Sequence, residues 1–432
     1  MIFVNLVHYH NARLVAFAAK SEIKPEVIEV AGRDVLPVLQ HGASDSPDYT
    51  RHTLCPEIDS ACCDPRSVRR ELYERLNKTR PVAVCVNGWS LPGSIPAIEW
   101  AIKNDAAIVL MSDSTAQDQR RVWWKELIKR RIVRICGAGF VAGKPHAEYL
   151  NLLGMPRDHI FLGYDVVDNA YFSERVDSAR RQREQLRIQT GLPKEFFLAC
   201  ARFESSKNLA TLLTAYAIYR RRSGEKAWSL VIVGDGVLRA ELQRLSKELE
   251  IESSVVFAGL KQYHEITDYY ALAGAFVHTS VRETWGLVIN EAMASGLPVL
   301  VSNRCGCVTD LVQDGVNGYA FDPNDIGSLA ELMGRISSNH IALSEMGKQS
   351  RAIIARWSLE THATALHSAI DAARKAPLTK PTLLDRILLK ALCYRLPENS
   401  SEPLRLGLLS IPLYCLYTAI LFAHDATAFQ LA

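Results

Sequence analysis

Arg282-Glu283-Thr284-Trp285-Gly286-Leu287-Val288-Ile289-Asn290-Glu291-Ala292-Met293-Ala294-Ser295-Gly296-Leu297-Pro298-Val299 is the stretch that decides the fold. It lies between two short apolar runs, residues 275–278 and 298–302, each of strand length. Gly286 stands where a helix opens and Gly296 and Pro298 where one has ended, so the segment reads as strand, helix, strand. A strand returning beside its predecessor through a helix makes a parallel sheet.

The same rhythm extends in both directions. Upstream strands are expected at 196–201, 229–233 and 255–258, each followed by a helical stretch. In the first third of the chain, strands at 82–86, 106–111 and 139–142 alternate with helices at 94–103 and 118–131, and residues 1–7 read as a buried opening strand. Residues 173–190 are densely charged and carry no strand signal, so a first unit is expected to end near residue 165. The chain thus divides into a first α/β domain over 1–165, a second over 166–375, and a tail over 376–432. Two doubly wound domains in tandem bind ligands in the cleft between the carboxyl ends of their strands.

Composition agrees with this. A chain of 432 residues exceeds one ordinary core, and 48% hydrophobic with 22% charged residues is the balance of a globular protein. A net charge of +3 gives no reason to expect nucleic acid as a partner. Ten scattered cysteines lack paired zinc spacing and read as thiols of a reducing compartment; with no basic segment before the opening strand, the expected location is the cytoplasm.

The tail breaks the rhythm. Residues 383–396 mix leucines with Arg386, Lys390 and Arg395, and residues 406–423 carry no formal charge. Two readings stand: helices packed on a domain or another subunit, or peripheral contact with the cytoplasmic membrane surface, to which Arg386, Lys390, Arg395 and Arg405 would contribute.

The chemistry concentrates around the opening stretch. Helix amides after Gly286 and Leu287 can receive a diphosphate, Glu291 can accept hydrogen bonds from ribose hydroxyls, and Glu283 can hold sugar hydroxyls. Ala201-Arg202-Phe-Glu-Ser-Ser-Lys207-Asn208 follows a strand and places two cations at its end. Gly234-Asp235-Gly236 forms a tight turn without the third glycine of a dinucleotide fingerprint, which disfavours a dehydrogenase.

Two glutamates separated by seven residues, followed by Ala-Met-Ala-Ser-Gly-Leu-Pro-Val, resemble the signature of family 4 of the retaining glycosyltransferases. The Arg202 to Asn208 segment, the Gly234 to Gly236 turn, Gly259-Leu260, and the run through Gly306, Asp310, Gly315, Asn317 and Gly318 extend the resemblance over about residues 136–375. The resemblance implies a GT-B fold: two Rossmann-like domains facing a cleft, the first for acceptor and the second for donor. It implies transfer of a sugar from a nucleoside-diphosphate sugar to a hydroxyl of a carbohydrate or lipid-linked acceptor, with retention at the anomeric carbon. Arg202 and Lys207 would then stabilise the leaving diphosphate and Glu283 the donor sugar. Gly234, Gly236, Gly259, Leu260, Gly286, Leu287 and Glu291 would line the nucleotide, and neither metal nor cofactor would be needed.

The amino-terminal third departs from the pattern. Where the family commonly has a cleft histidine, this chain has Ser112-Asp113-Ser114, and Asp113 is the candidate for contact with the donor sugar or the acceptor proton. Where the family has a glycine-rich loop, it has His8-Tyr9-His10-Asn11-Ala12-Arg13, with His10 ranked ahead of Trp89 as an acceptor contact. The alternatives are a nucleotide-sugar epimerase on the same fold and a non-catalytic binding subunit.

Overall fold

The computed structural model describes residues 1–22, 24–32, 48–59, 62–377 and 379–393. Among these, two parallel sheets carry the architecture. The first runs in the order β3-β2-β1-β4-β5-β6-β7, from β1 (Ile2–Phe3), β2 (Glu26–Ala31), β3 (Thr50–Cys55), β4 (Ala83–Asn87), β5 (Ala107–Ser112), β6 (Ala138–Val141) and β7 (Ile160–Leu162). The second runs β10-β9-β8-β11-β12-β13, from β8 (Phe196–Cys200), β9 (Ser229–Val233), β10 (Val255–Gly259), β11 (Ala275–His278), β12 (Val299–Ser302) and β13 (Gly318–Phe321). In both, strand order reverses beside the first strand, between β1 and β4 and between β8 and β11.

Every residue of β5, β6, β8, β11 and β12 is buried. Helices cover both faces of such a sheet, and this explains why these strands read as unbroken apolar runs. The stretch at 173–190 belongs to two helices, Asn169–Arg181 and Arg183–Thr190. Asp168 caps the first by accepting from the Tyr171 amide, and Phe172 and Val176 drop into the second core.

Two expectations need correction. His8 to Arg13 is no loop, because the helix His8–Lys20 starts there and buries Arg13, Leu14 and Phe17 on one face. The carboxyl boundary at residue 375 also does not follow the packing. The helix Leu359–Lys375 turns back onto the first sheet, where Ala363, Leu366, Ala369, Ile370 and Ala373 join the core beneath β5, β6 and β7. Small side chains permit that approach: Gly137 lies against the Ala373 backbone with no room for a Cβ.

The helix Leu383–Leu392 docks on the first domain through Leu388, Leu389 and Cys393. Its fully buried Asp385 receives Arg131 at 2.9 Å and Arg134 at 2.7 Å from the helix Trp123–Ile135. The uncharged stretch 406–423, Arg395 and Arg405 lie outside the described residues. No described helix is long and apolar enough to cross a membrane. Asp385→Ala removes the partner of two arginines and the reciprocal half of the capping box with Thr382, at a cost of about 2 kcal/mol, between an exposed pair and a fully buried one. A fall of about 4–8 °C in the first domain's melting temperature is expected by calorimetry; an unchanged transition would show that this helix contributes nothing to holding the domain.

Candidate functional site between the two sheets

The reversal between β8 and β11 opens the carboxyl end of the second sheet, and the chain segments leaving those two strands build the site. After β8 come Arg202 and the 3-10 turn Ser205–Lys207, closed by Asn208 at φ 54°. After β11 come Thr279, Ser280 and Glu283. Backbone and side-chain bonds tie the two together: Val281 N–H donates to the Ser206 carbonyl at 2.9 Å, and Thr279 Oγ1 donates to that of Lys207 at 2.9 Å.

This pins Lys207 Nζ 2.5 Å from Glu283 Oε2. His278 Nε2 lies 3.1 Å from the same oxygen and Ser280 Oγ donates to it at 3.3 Å. Burial alone would raise the Glu283 carboxyl, but His278 and Lys207 outweigh it and hold the group down at about 2. Glu283 is therefore ionised at neutral pH. Arg202 is not part of this cluster. Its side chain is 67% exposed, 3.5 Å from Glu204, at the rim.

Glu291 occupies the opposite environment. It sits on the helix Leu287–Ala294, which Gly286 opens at φ 106°, a conformation that disfavours any side chain. Tyr270 Oη donates to Glu291 Oε2 at 2.8 Å. Burial pushes this carboxyl up to about 7, with the Tyr270 hydrogen bond pulling the other way. One carboxylate is thus fixed as an anion while the other titrates near neutrality.

The glycine turn holds the floor. A Cβ on Gly234 would strike the Ala201 carbonyl, and one on Gly236 would press on the Phe203 backbone at 2.7 to 2.8 Å. Phe203 N–H donates to the Asp235 carbonyl at 2.8 Å, so the turn and the Arg202 segment form one unit. Gly259 ends β10 at φ 72°, and Leu260 beyond it is exposed.

The first domain closes on this site. Thr284 Oγ1 donates to Asp113 Oδ2 at 2.9 Å, so Asp113 reaches the residue next to Glu283. His146 Nε2 pairs with the Thr284 carbonyl at 2.9 Å, and the Lys144 amide donates to Asp310 Oδ2 at 2.9 Å. Asp113 is thus brought beside Glu283 and Lys207, whereas Arg202 stays at the rim and His10 turns inward. Its Nδ1 accepts from the Val7 amide at 3.3 Å and its ring packs on Phe3, which makes it a helix cap. Trp89 packs edge-on against Tyr149.

Sequence reading missed several participants. Arg13 Nη2 meets the buried Asp165 at 3.3 Å and its Nε donates to the Val166 carbonyl at 2.9 Å, bracing the crossing between domains. Burial, countered by Arg13, leaves the Asp165 carboxyl raised to about 7. His278 could have been found as a polar residue ending an apolar strand at the reversal, whereas partners 152 positions apart, such as Arg13 and Asp165, leave no local signal. Among the described residues no group of three or more potential metal ligands converges.

Two doubly wound sheets facing each other across these residues define the GT-B architecture of glycosyltransferases. Residues 180–353 match the family described as Glycosyl transferases group 1. Among curated proteins, the alpha-monoglucosyldiacylglycerol synthase of Streptococcus pneumoniae is 28% identical over 228 residues, covering 52% of this chain and 50% of that one. The Arabidopsis thaliana sulfoquinovosyl transferase SQD2 is 29% identical over 189 residues, 43% of this chain and 34% of that one. The chain thus spans about half or less of the length of these relatives. Anabaena HepE, solved in complex with UDP, superposes with a TM-score of 0.64 at 16% identity, covering 86% of this chain and 99% of that one.

The raised Glu291 carboxyl has a sign that can be checked. The folded chain keeps this proton up to about pH 7 while the unfolded chain releases it near pH 4.5, so the contribution is present below the lower value and lost as pH rises through the upper. Glu291→Gln is expected to lack this loss, so its melting temperature gains on the parent protein's between pH 5 and 8. Parallel curves across that range would refute the assignment.

Proposed function

We propose that the protein is a retaining glycosyltransferase that moves a sugar from a nucleoside-diphosphate sugar to a hydroxyl acceptor in glycolipid or polysaccharide synthesis. The observation that carries this is the partly buried Lys207–Glu283–His278 cluster at the strand reversal, beside a helix start and Glu291. The GT-B neighbour solved with UDP and the names of the lipid-glycosylating relatives support the same reading.

In this reading Lys207 and Arg202, with the amides at Gly286 and Leu287, take up the negative charge that grows on the diphosphate. The bond from the anomeric carbon to the diphosphate oxygen breaks, the acceptor oxygen bonds to that carbon on the same face, and the acceptor proton passes to a diphosphate oxygen. Glu283 holds donor-sugar hydroxyls, Glu291 holds the ribose, and Asp113 contacts the sugar or the acceptor from the first domain. Cations and amides carry the charge stabilisation, so this scheme has no metal or other cofactor.

A lipid acceptor agrees with one surface. On the helix Trp123–Ile135, Trp123 and Trp124 are 60% and 45% exposed, with Arg130 and Arg134 also exposed. The docked helix Leu383–Leu392 presents Leu383, Arg386, Ile387 and Lys390 on one outer face. Aromatic, aliphatic and basic side chains together fit an anionic membrane surface at the cytoplasmic face.

Two outcomes are expected. Arg202→Ala or Lys207→Ala lowers turnover by roughly 10²-fold, as loss of one preorganised stabiliser does, with the fold retained. Glu291→Ala weakens nucleoside-diphosphate binding, whereas Glu283→Ala acts on turnover. Steady-state kinetics with calorimetry decide this, and normal turnover in a folded Arg202→Ala, Lys207→Ala double variant refutes the reading. Release of an altered nucleotide sugar without acceptor would favour the epimerase. Trp123→Ser with Trp124→Ser should lower co-sedimentation with anionic vesicles at low salt; unchanged sedimentation argues against this surface.

A further inference from the structure

A second cavity lies at the opposite end of the second sheet, where β8, β11 and β12 begin. It has a volume of about 400 Å³ and is lined by Arg180, Arg183, Lys348 and Arg351, with Trp228, Gly296 and Glu195 among the remaining walls. Volumes of this order suit a small organic ligand.

Of the charged side chains that line it, four are cationic and one, Glu195, is acidic. Arg351 grips Asp177 with both terminal nitrogens, at 3.0 and 2.7 Å, while its buried Nε has no hydrogen-bond partner. Asp177 lies 3.9 Å from Arg180, and Lys348 forms an exposed pair with Glu345 at 3.5 Å. Arg180 and Arg183 each spend one donor on the carboxyl end of the helix Ile266–Leu272, Arg180 Nε on the Ala271 carbonyl and Arg183 Nη2 on that of Leu272, both at 3.3 Å. A guanidinium has five N–H donors, so this fixes the groups without exhausting them. Burial, and then the neighbouring Arg351, pulls the Arg180 guanidinium down to about 10. Guanidinium groups crowded in a walled cleft are the arrangement that takes phosphate oxygens in pairs.

We propose that this cleft binds a small phosphorylated anion, a phosphate monoester or diphosphate, at a site separate from the donor cleft. The helix Leu287–Ala294 starts at the donor site and spans about 12 Å over its eight residues, and Gly296, two residues beyond its end, lies on the cavity wall. Arg351 packs directly on Gly296, where a Cβ would lie 2.8 Å from its Nε.

Inorganic pyrophosphate is the probe, titrated by calorimetry into three proteins: the unmodified chain, the Arg202→Ala, Lys207→Ala variant, and the Arg183→Gln, Lys348→Gln variant. One binding event is expected to survive in the second protein. In the third its affinity should fall at least tenfold. Pyrophosphate should also raise the melting temperature of the first two proteins beyond sodium chloride at equal ionic strength, because a ligand of the native state stabilises it. Survival of that event in the third protein, or a shift that chloride reproduces, overturns the proposal. So does its loss from the second protein, which would leave the donor cleft as the sole anion site. If the paired substitution unfolds the chain, Lys348→Gln alone, at a largely exposed position, should weaken the event about threefold, and unchanged affinity there also overturns it.

Discussion

The Lys207–Glu283 pair depends on one property of a doubly wound sheet. Where strand order reverses, the segments leaving two neighbouring strands part in opposite directions and leave a gap that neither fills. Here they are the segments after β8 and β11, and the gap is crossed by a cation from one and a carboxylate from the other. A charge desolvated this far is stable only with excellent geometry and further hydrogen bonds. His278 and Ser280 supply those bonds, and Thr279 and Val281 hold the Lys207 segment in register. The first domain then attaches at the next residue, Thr284, through Asp113 and His146. The two domains thus meet at the residue next to Glu283, with Lys144 and Asp310 adding a further contact.

What could be read in advance follows the same physics. Central strands such as β8 and β12 are buried on both faces, so their sequences are continuous apolar runs and announce themselves. β2 and β3 do not, because their charges are satisfied internally. Glu29 in β2 is buried and accepts from the Leu6 amide, Arg51 and Thr53, the last two in β3. A charge inside a strand reads as solvent exposure when the partner lies on a strand not yet recognised. His8 to Arg13 misled for a related reason: its histidines and asparagine look like loop chemistry, yet the Val7 amide is capped by His10 and the buried Arg13 is neutralised by Asp165. Motif glycines and glutamates were legible because backbone geometry and diphosphate chemistry restrict them locally. The residues that orient them were not, since they arrive from other strands or from the other domain.

Glu283 and Glu291 show how far environment separates two identical side chains eight positions apart. One is surrounded by cationic and hydroxyl donors and is an anion at neutral pH; the other has burial and a tyrosine hydroxyl, and keeps a proton to about pH 7. Pairs of titratable groups pushed apart in this way mark divided roles within one site. A permanent anion beside Lys207 organises cations and accepts hydrogen bonds of fixed polarity. A ligand bringing hydroxyl donors to a carboxyl poised near neutrality would favour its ionised form by hydrogen bonding. Such a ligand at Glu291 would release a proton on binding, whereas at Glu283 the charge is already in place. Gly286 opens the helix that carries Glu291, and so sets the distance between the fixed anion and the carboxyl that titrates near neutrality.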